Sequence, residues 1–186
     1  ASAAIDRSQG FHNIADAKLN VVAKQTANFD RTEGMSVMEN ILQANGDVQA
    51  VFAANDEMAL GAVEAISGAG KTVMVVGFDA TDDAIEAIKA GRMAGTIAQQ
   101  PALIGSTAVE NAVTLIGGTA IAKSIPVEVT LVTKDNVDTF NEPKGEAVEI
   151  VGNGSIGLAV STQNNPFFVT LVEGAQAAAD KLGVTL

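Results

Sequence analysis

Polar side chains follow the most apolar runs of this 186-residue sequence, at positions suited to binding a ligand. Asn55, Asp79 and Gln99 each come within two residues of the end of such a run. If the runs are strands of an open α/β sheet, these side chains lie beyond its carboxyl edge, where such sheets bind ligands. Amides and carboxylates can bond paired hydroxyl groups, so the residue types suit a sugar, but their spacing alone predicts only that the chain binds something small.

Aromatic and cationic side chains complete this candidate binding set. Phe29 follows another β-type run, Asn165, Phe167 and Phe168 follow a run near the end of the sequence, and Arg7 lies in the first helical segment. Phenyl rings stack on the apolar C–H face of a sugar, and a guanidinium donates several hydrogen bonds. Each residue also has a purely structural explanation, because Asn and Asp after a strand commonly cap the next helix and Phe commonly belongs to a core.

The composition excludes several other kinds of function. The chain has 22 acidic and 11 basic residues, a formal net charge of −11 and no basic stripe, so we predict no nucleic-acid partner. It has no cysteine, and its one histidine, His12, has no companion ligands, so we predict no metal site. The glycines form neither a G-x-G-x-x-G nor a P-loop pattern, and no nucleophile–base pair emerges. We therefore predict no cofactor and no enzymatic activity.

Helical and extended patterns alternate along most of the chain. Short loops join the segments, as in repeated β-α units, and the run Val73–Phe78 is the most apolar. The pattern predicts an α/β fold: a three-layer, doubly wound parallel sheet of the flavodoxin-like kind, with Val73–Phe78 near the sheet centre. Predicted helices cover residues 3–17, 32–45, 56–69, 82–91, 102–117 and 167–182, and predicted strands cover 19–24, 48–53, 73–78, 95–98, 127–133, 147–151 and 156–161.

Five short motifs resemble those of one protein family. They are Phe29-Asp30-Arg31, NDEMALGA at 55–62, Val76-Gly77-Phe78-Asp79, Ile97-Ala98-Gln99 and STQNNPFF at 161–168. The chain thus resembles the ribose-binding proteins of bacterial ABC importers, which are periplasmic binding proteins. The resemblance implies a flavodoxin-like lobe of a type I periplasmic binding protein that captures D-ribose or a related small sugar without catalysis. For the parent protein it implies a periplasmic or extracellular location and docking on a membrane permease.

The resemblance also implies a role for each candidate residue. Aromatic rings on two sides would sandwich the sugar ring, and polar side chains would bond its hydroxyls. The Gln99-Gln100-Pro101 stretch would be one of the hinge crossings between two lobes. The ring partners would be Phe29, Phe167 and Phe168, and the hydroxyl partners would be Arg7, Asn55, Asp79, Gln99 and Asn165.

Two features depart from the family's pattern. The β-α unit at 156–182 resembles the start of the family's first lobe but comes last here, and most of that lobe, including its Asp-Arg pair, has no counterpart. We therefore expect a permuted, truncated and engineered derivative whose ribose binding is weakened, and no signal peptide opens the sequence. We expect residues 1–140 to be mainly the C-terminal-type sugar-binding lobe with hinge crossings, 141–155 a displaced strand and linker, and 156–186 the relocated unit.

Alternatives remain open from the sequence. The chain could be an engineered structural protein, a rearranged flavodoxin-like fold with no retained ligand binding. It could be the effector domain of a LacI-type repressor, although the sequence contains no DNA-binding headpiece. Strand 156–161 and helix 167–182 have lost their native neighbours, so this unit either docks onto the chain's own sheet or exchanges with a second copy. Of the two we expect exchange or another form of self-association, or association with a complementary fragment.

Overall fold

A computed structural model describes residues 2–140 and 154–186 of the chain. Within these residues the chain forms an α/β arrangement in which helices and strands alternate. In chain order the elements are α1 (Ser2–Lys18), α2 (Arg31–Ala44), β1 (Ala50–Phe52), α3 (Asp56–Gly68), β2 (Met74–Phe78), α4 (Asp82–Lys89), β3 (Gly95–Ala98), α5 (Pro101–Ile116), β4 (Thr130–Thr133) and α6 (Pro166–Leu182).

The four strands form one sheet in the order β1-β2-β3-β4. β1 pairs with β2 in parallel, with Val51 opposite Val75, and β2 pairs with β3 in parallel, with Gly77 opposite Thr96. β2 is therefore an interior strand, as its apolar sequence predicted, and its second residue, Val75, is 1% exposed. The prediction of an α/β fold with Val73–Phe78 inside the sheet is confirmed.

The chain divides into two compact units. The first comprises Ala1–Ile97 with Leu131–Thr139, and the second comprises Ala98–Thr130 with Phe140–Leu186. The boundary falls at the last residue of β3 and the first residue of β4. The three-part division expected from the sequence stays a prediction.

Helices α2 and α3 of the first unit pack closely because glycines lie at their contact. A Cβ atom on Gly34 would lie 2.8 Å from the Cα atom of Met58, and one on Gly61 would meet the carbonyl oxygen of Arg31. The Arg31 guanidinium also bonds both carboxylate oxygens of Glu57, each at 2.9 Å, and one oxygen of Asp83 at 2.7 Å. This cation joins α2 to α3 and α4, next to the end of the sheet that carries the candidate site.

Helices α5 and α6 pack in the same way in the second unit. A Cβ atom on Gly105 would meet the carbonyl oxygen of Leu171, and one on Gly174 would meet that of Ala102. Side chains along the two helices bury each other in a small apolar core that also receives Ile156 and Leu186. Its buried members are Val109, Val113, Ala175, Ala178, Ala179, Leu182 and Val184.

Two predicted strands are wrong, and one lies outside the described residues. Residues 19–24 and 156–161 are irregular, because a strand needs a ladder partner and neither run has one in the part of the chain that the structure describes. Next to the second run, Ser155 forms only an isolated parallel bridge with Thr185. The predicted strand at 147–151 lies among residues 141–153, outside the described residues.

Candidate functional site

Asn55 lies just beyond the carboxyl end of β1 and begins α3. It is the N-cap of that helix, and its side-chain oxygen accepts a hydrogen bond from the backbone N–H of Met58 at 3.0 Å. Its amide nitrogen donates to the carbonyl oxygen of Phe29 at 3.4 Å, and the residue is 1% exposed. Asn55 therefore caps a helix, which is a common role for an Asn that follows a strand. One bond does not exhaust an amide nitrogen with two N–H groups, so the cap does not preclude ligand binding.

Phe29 lies in a strained loop immediately before α2. Its φ is +60° and that of Asn28 is +49°, a region that costs a bulky residue about 1–3 kcal/mol. Two contacts fix this loop: the hydrogen bond from Asn55 to the Phe29 carbonyl, and the cap that Asp30 forms on α2. The residue is 41% exposed, so its ring is available to stack on a ligand.

Arg7 reaches the same end of the sheet from α1. Its Nη1 donates to the carbonyl oxygen of Ala54 at 2.7 Å, and its guanidinium lies 4.0 Å from the ring centroid of Phe78, a cation–π contact. Burial lowers the pKa of Arg7, and the nearby charge of Asp79 raises it. A guanidinium stays charged under these conditions, so a partly buried cation faces the ends of β1 and β2.

Asp79 follows β2 directly and is held in an unusual backbone conformation. Its φ is +118° and that of the next residue, Ala80, is +56°, although neither is glycine. The backbone N–H of Asp79 donates to the carbonyl oxygen of Ile97 on β3 at 2.8 Å, and the residue is 7% exposed. Strained turns of this kind concentrate at binding sites, because the surrounding structure must fix them against their preference.

Four of the eight sequence-predicted site residues thus lie together in the first unit. Contacts run from Phe29 to Asn55, and from Arg7 to Ala54, which precedes Asn55, and Arg7 is coupled electrostatically to Asp79. Between them they offer a cation, a carboxylate, an amide and an aromatic ring. This is a donor, acceptor and stacking set suited to a polyol.

The other four predicted residues lie in the second unit. Asn165 is the N-cap of α6, with its side-chain oxygen accepting from the backbone N–H of Phe167 at 2.9 Å. The rings of Phe167 and Phe168 meet edge to face, with centroids 5.1 Å apart and planes at 85°. Gln99 directly follows β3 and is half-buried. Their part in ligand binding stays a prediction.

Sequence reasoning assigned no role to the buried residues behind the first-unit site. Asp56 is fully buried, and its carboxylate accepts hydrogen bonds from the hydroxyl of Thr96 at 2.7 Å and from the backbone and hydroxyl of Thr81 at 2.8 and 3.2 Å. Burial raises the pKa of Asp56 to about 6, against hydrogen bonds from Thr96, Thr81 and the Phe78 backbone that lower it. An acidic residue directly after the helix cap was a visible signal, but its partners lie 25 and 40 residues away.

The first unit also contains a mainly apolar cavity of about 560 Å³ beside β1. Phe11, Phe52 and Met38 line it, and the rings of Phe11 and Phe52 stack with centroids 5.1 Å apart. Phe29 borders the cavity, whereas Arg7, Asn55 and Asp79 do not. The polar set therefore lies at the end of the strands, beside the cavity and not within it.

Residues 2–140 and 154–186 contain neither a metal-binding group nor a helix that could span a membrane. No group of three or more His, Cys, Asp or Glu side chains in these ranges is placed to hold a metal ion. His12 instead bonds Asp16 on the same helix, with Nδ1 and Oδ1 2.8 Å apart. None of the helices in the same ranges combines the length and apolar character needed to cross a membrane.

A family profile described as "Periplasmic binding protein domain" matches residues 1–120, which include α1 to α5 and the four first-unit site residues. The chain belongs to this family. It shares the type I periplasmic binding protein fold, as the structural comparisons below show. The predicted family and fold class are confirmed, whereas permutation and engineering stay predictions.

Curated relatives of the chain include several import binding proteins. The ribose import binding protein of Bacillus subtilis is 54% identical over 134 residues, which are 72% of this chain and 44% of the relative. That of Escherichia coli is 51% identical over 135 residues, 72% of this chain and 46% of the relative. A D-apiose import binding protein of Actinobacillus succinogenes is 52% identical over 99 residues, 52% of this chain and 32% of the relative. The chain therefore spans about half the length, or less, of the curated relatives it matches.

Solved structures give the same family assignment. An ABC transporter periplasmic solute binding protein from Actinobacillus succinogenes with bound D-allose has a TM-score of 0.69 and 35% identity, and the match covers 73% of this chain and 50% of that one. The myo-inositol binding protein of Caulobacter has a TM-score of 0.68 and 37% identity, covering 73% and 48%. These relatives are named as binding proteins, so the prediction that the chain is not an enzyme is confirmed for its family. The family is also periplasmic, as predicted for the parent protein.

Proposed function

We propose that this chain binds a small sugar, D-ribose or a close relative, without catalysing a reaction. The observation that carries the proposal is the set of Arg7, Phe29, Asn55 and Asp79 at the carboxyl ends of β1 and β2. The names of the ribose import binding proteins at 51–54% identity support ribose as the first sugar to test. The partners of the whole protein are then the sugar and the membrane permease of an ABC importer.

The chemistry of the site suits a pentose. Arg7 donates hydrogen bonds through several N–H groups, whereas the Asp79 carboxylate accepts hydrogen bonds. Arg7 can therefore donate to the oxygen of one sugar hydroxyl while Asp79 accepts from the hydrogen of the next. The ring of Phe29 covers the C–H face of the sugar, which gains from leaving water. Asn55, fixed by its helix cap, adds an amide at a constant position. We propose Gln99, Asn165, Phe167 and Phe168 as further ligand residues.

An NMR titration tests sugar binding at the low affinities that a small site can have. D-Ribose is added to the ¹⁵N-labelled chain, and Asp79→Asn is compared with Asp47→Asn, which neutralises an exposed carboxylate in the loop after α2. We expect saturable shifts at residues 54–56 and 79–81 and an affinity at least about tenfold lower in Asp79→Asn alone, since a bond to a charged group contributes about 1.5–3 kcal/mol. The absence of any saturable shift would instead support the alternative of a rearranged structural protein with no retained ligand binding.

The second-unit residues need their own variants. Gln99→Ala and Phe167→Leu are titrated beside Gln176→Ala, an exposed side chain of α6 whose amide bonds only its own helix neighbour Asp180 among the contacts described. We expect weaker ribose binding for the first two variants and wild-type binding for the third. Unchanged affinity in all three would restrict the ribose site to the first-unit residues.

Permutation and truncation of a two-lobe parent are proposed from the order of the sequence segments. If the first lobe of a ribose import binding protein is added in trans, we expect the ribose affinity of the chain to rise. The control is an equal concentration of an unrelated flavodoxin-like domain. No change with the first lobe would argue against a complementary fragment as partner.

Self-association by exchange of α6 is proposed from the same segment order. Within the chain, α6 already buries Ala175, Ala179 and Leu182 with Val109 and Val113 of α5, so an exchanged dimer must replace this packing with the same packing between copies. Light scattering over a wide concentration range would show a mass that rises above that of the monomer. A constant monomer mass, with the amides of α6 protected from hydrogen exchange, would contradict exchange.

A further inference from the structure

Asp56 is a fully buried carboxylate with no part in the set of proposed ligand contacts. It is the first residue of α3, directly after the cap residue Asn55, which already satisfies the helix terminus through its own side chain. A carboxylate removed from water is strongly destabilising unless it accepts several hydrogen bonds. Helix capping therefore does not explain why a carboxylate is buried at this position.

The hydrogen bonds of Asp56 join three separate elements of the first unit. One oxygen, Oδ1, accepts from the hydroxyl of Thr96 on β3 at 2.7 Å. The other, Oδ2, accepts from the backbone N–H of Thr81 at 2.8 Å and from its hydroxyl at 3.2 Å. The backbone of Phe78, at the end of β2, also lowers the pKa of the carboxylate. One side chain thus connects the start of α3 to the ends of β2 and to β3.

The turn between β2 and α4 lies inside this network. Asp79 and Ala80 both have positive φ, which non-glycine residues adopt only when neighbouring bonds impose it. The Asp79 N–H bonds the carbonyl oxygen of Ile97, and the Ala80 N–H bonds the Thr96 hydroxyl at 3.2 Å. The Thr96 hydroxyl in turn donates to Asp56. This bond orients the lone pairs of the Thr96 oxygen toward the Ala80 N–H. The bonds to Thr81 and Thr96 therefore hold the turn just after Asp79.

The sheet leaves room for the Asp56 carboxylate at Gly77. A Cβ atom on Gly77 would meet Asp56 Oδ1 and would lie 3.0 Å from Cε of Met93. Gly77 does not have positive φ, so its glycine is explained by this close approach and not by backbone conformation. The interior strand therefore accommodates the carboxylate directly beneath the turn that carries Asp79.

We propose that Asp56 is a positioning residue for the sugar site, because its carboxylate fixes the strained turn that presents Asp79. This inference rests on the proposed function, in which Asp79 bonds the sugar. Asp56 also begins the helix capped by Asn55, but the cap bond from the Met58 N–H to Asn55 Oδ1 does not involve the Asp56 carboxylate. Its loss should therefore lower ligand affinity through Asp79 without removing any atom that touches the ligand.

A double-mutant cycle with ribose tests the coupling between Asp56 and Asp79. Asp56→Asn keeps the size of the side chain but turns one acceptor oxygen into a donor, so it cannot accept hydrogen bonds from both Thr81 and Thr96. We expect about tenfold weaker ribose binding for Asp56→Asn alone, the loss of about one hydrogen bond to a charged group. In the Asp79→Asn background we expect the same change to alter affinity by less than about twofold, because the turn then presents no carboxylate.

The matched control is Glu64→Gln, which neutralises an exposed carboxylate on the same helix α3. We expect its ribose affinity and its coupling to Asp79→Asn to equal those of the unchanged chain. A loss of affinity in Asp56→Asn that is the same in both backgrounds would show a general structural effect and would overturn the proposal. Wild-type affinity in folded Asp56→Asn would overturn it as well.

A measurement without sugar separates this inference from the proposed function. HN–Hα couplings and ¹³C shifts of Asp79 and Ala80 report their φ angles in the ligand-free chain, and they should move in Asp56→Asn and in Thr96→Val but not in Glu64→Gln. Thr96→Val removes only the bridging hydroxyl, so it keeps the test usable if Asp56→Asn unfolds. If the unchanged chain binds no ribose, the proposed function fails, and the couplings still decide whether Asp56 sets the turn. Unchanged couplings in both folded variants would overturn the inference.

Discussion

Arg7 donates a hydrogen bond of 2.7 Å to the carbonyl oxygen of Ala54, 47 residues later in the chain. Through this bond α1 contacts the segment between β1 and α3, where the cap residue Asn55 follows. The guanidinium also covers the ring of Phe78 at the end of β2. One side chain therefore joins a helix to the ends of two neighbouring strands while remaining close enough to Asp79 to feel its charge.

Replacing Arg7 should affect stability and ribose binding together. We expect Arg7→Lys to lower the free energy of unfolding by about 1 kcal/mol, because an ammonium keeps the charge but loses the planar contact with Phe78 and the fixed geometry of the bond to Ala54. Ribose affinity should fall as well. Urea denaturation and the NMR titration measure the two effects. Lys18→Ala on the same helix, where the side chain is exposed, is the control and should change neither.

The 186-residue chain should bind ribose far more weakly than a full-length ribose import binding protein. It spans 44–46% of the ribose relatives described above, and we expect part of their ligand contacts to have no counterpart within it. Two lost charge-assisted bonds correspond to about 3–6 kcal/mol, on the order of a hundredfold to over ten-thousandfold in affinity. Calorimetric titrations of both proteins measure the ratio. Submicromolar affinity in a verified monomer of this chain would contradict the prediction.

The close contact of α5 with α6 should not tolerate a single added methyl group. A Cβ atom on Gly105 would meet the Leu171 carbonyl and lie 2.8 Å from the backbone nitrogen of Ala175, so the helices must separate. We expect Gly105→Ala to lower the free energy of unfolding by about 1–3 kcal/mol, although alanine favours helix. Urea denaturation measures the change.

Gly10→Ala is the matched control for this substitution. Gly10 also lies inside a helix, α1, but a Cβ atom there would have nothing within 4 Å. Its replacement should raise stability by about 0.5–1 kcal/mol, because alanine loses less backbone entropy than glycine. A lower free energy of unfolding in Gly105→Ala together with a higher one in Gly10→Ala would establish the close contact of α5 with α6. A stabilising Gly105→Ala would show that α5 and α6 are not in close contact in solution.

Local pattern was sufficient to predict where the polar residues fall but not how they are held. Asn55 and Asp79 were found because each follows an apolar run, and the helix cap at Asn55 follows from its residue type. The positive φ values of Phe29 and Asp79 carry no sequence signal, since neither is glycine. The partners of Asp56 lie far along the chain and are chosen by tertiary packing.

The run Leu19–Lys24 shows the limit of pattern in the other direction. Its apolar residues predicted a strand, yet Leu19 and Val22 are 63% and 47% exposed and no ladder forms there in the described chain. A β pattern describes a segment's suitability for a sheet, but the hydrogen bonds come from a neighbour. β1 bonds β2 on one side, and no described strand follows it on the other.

The stability of the chain should change with pH through Asp56. Its pKa in the folded chain is about 6, raised by burial from 3.8. Between these values the folded state holds a proton that the unfolded state has released, so stability is full below about pH 4 and falls as pH rises through 6. A difference of about two pKa units corresponds to roughly 3 kcal/mol at most.

We expect the unfolding free energy of the unchanged chain, relative to Asp56→Asn, to decrease by an amount of this order between pH 4 and 7. Urea denaturation at several pH values measures this difference, in which the contributions of groups common to both proteins cancel. A relative stability that is constant or increases with pH would show that the pKa of Asp56 is not raised in the folded chain, because hydrogen bonds from Thr81 and Thr96 and the N-terminus of α3 offset the burial of the carboxylate.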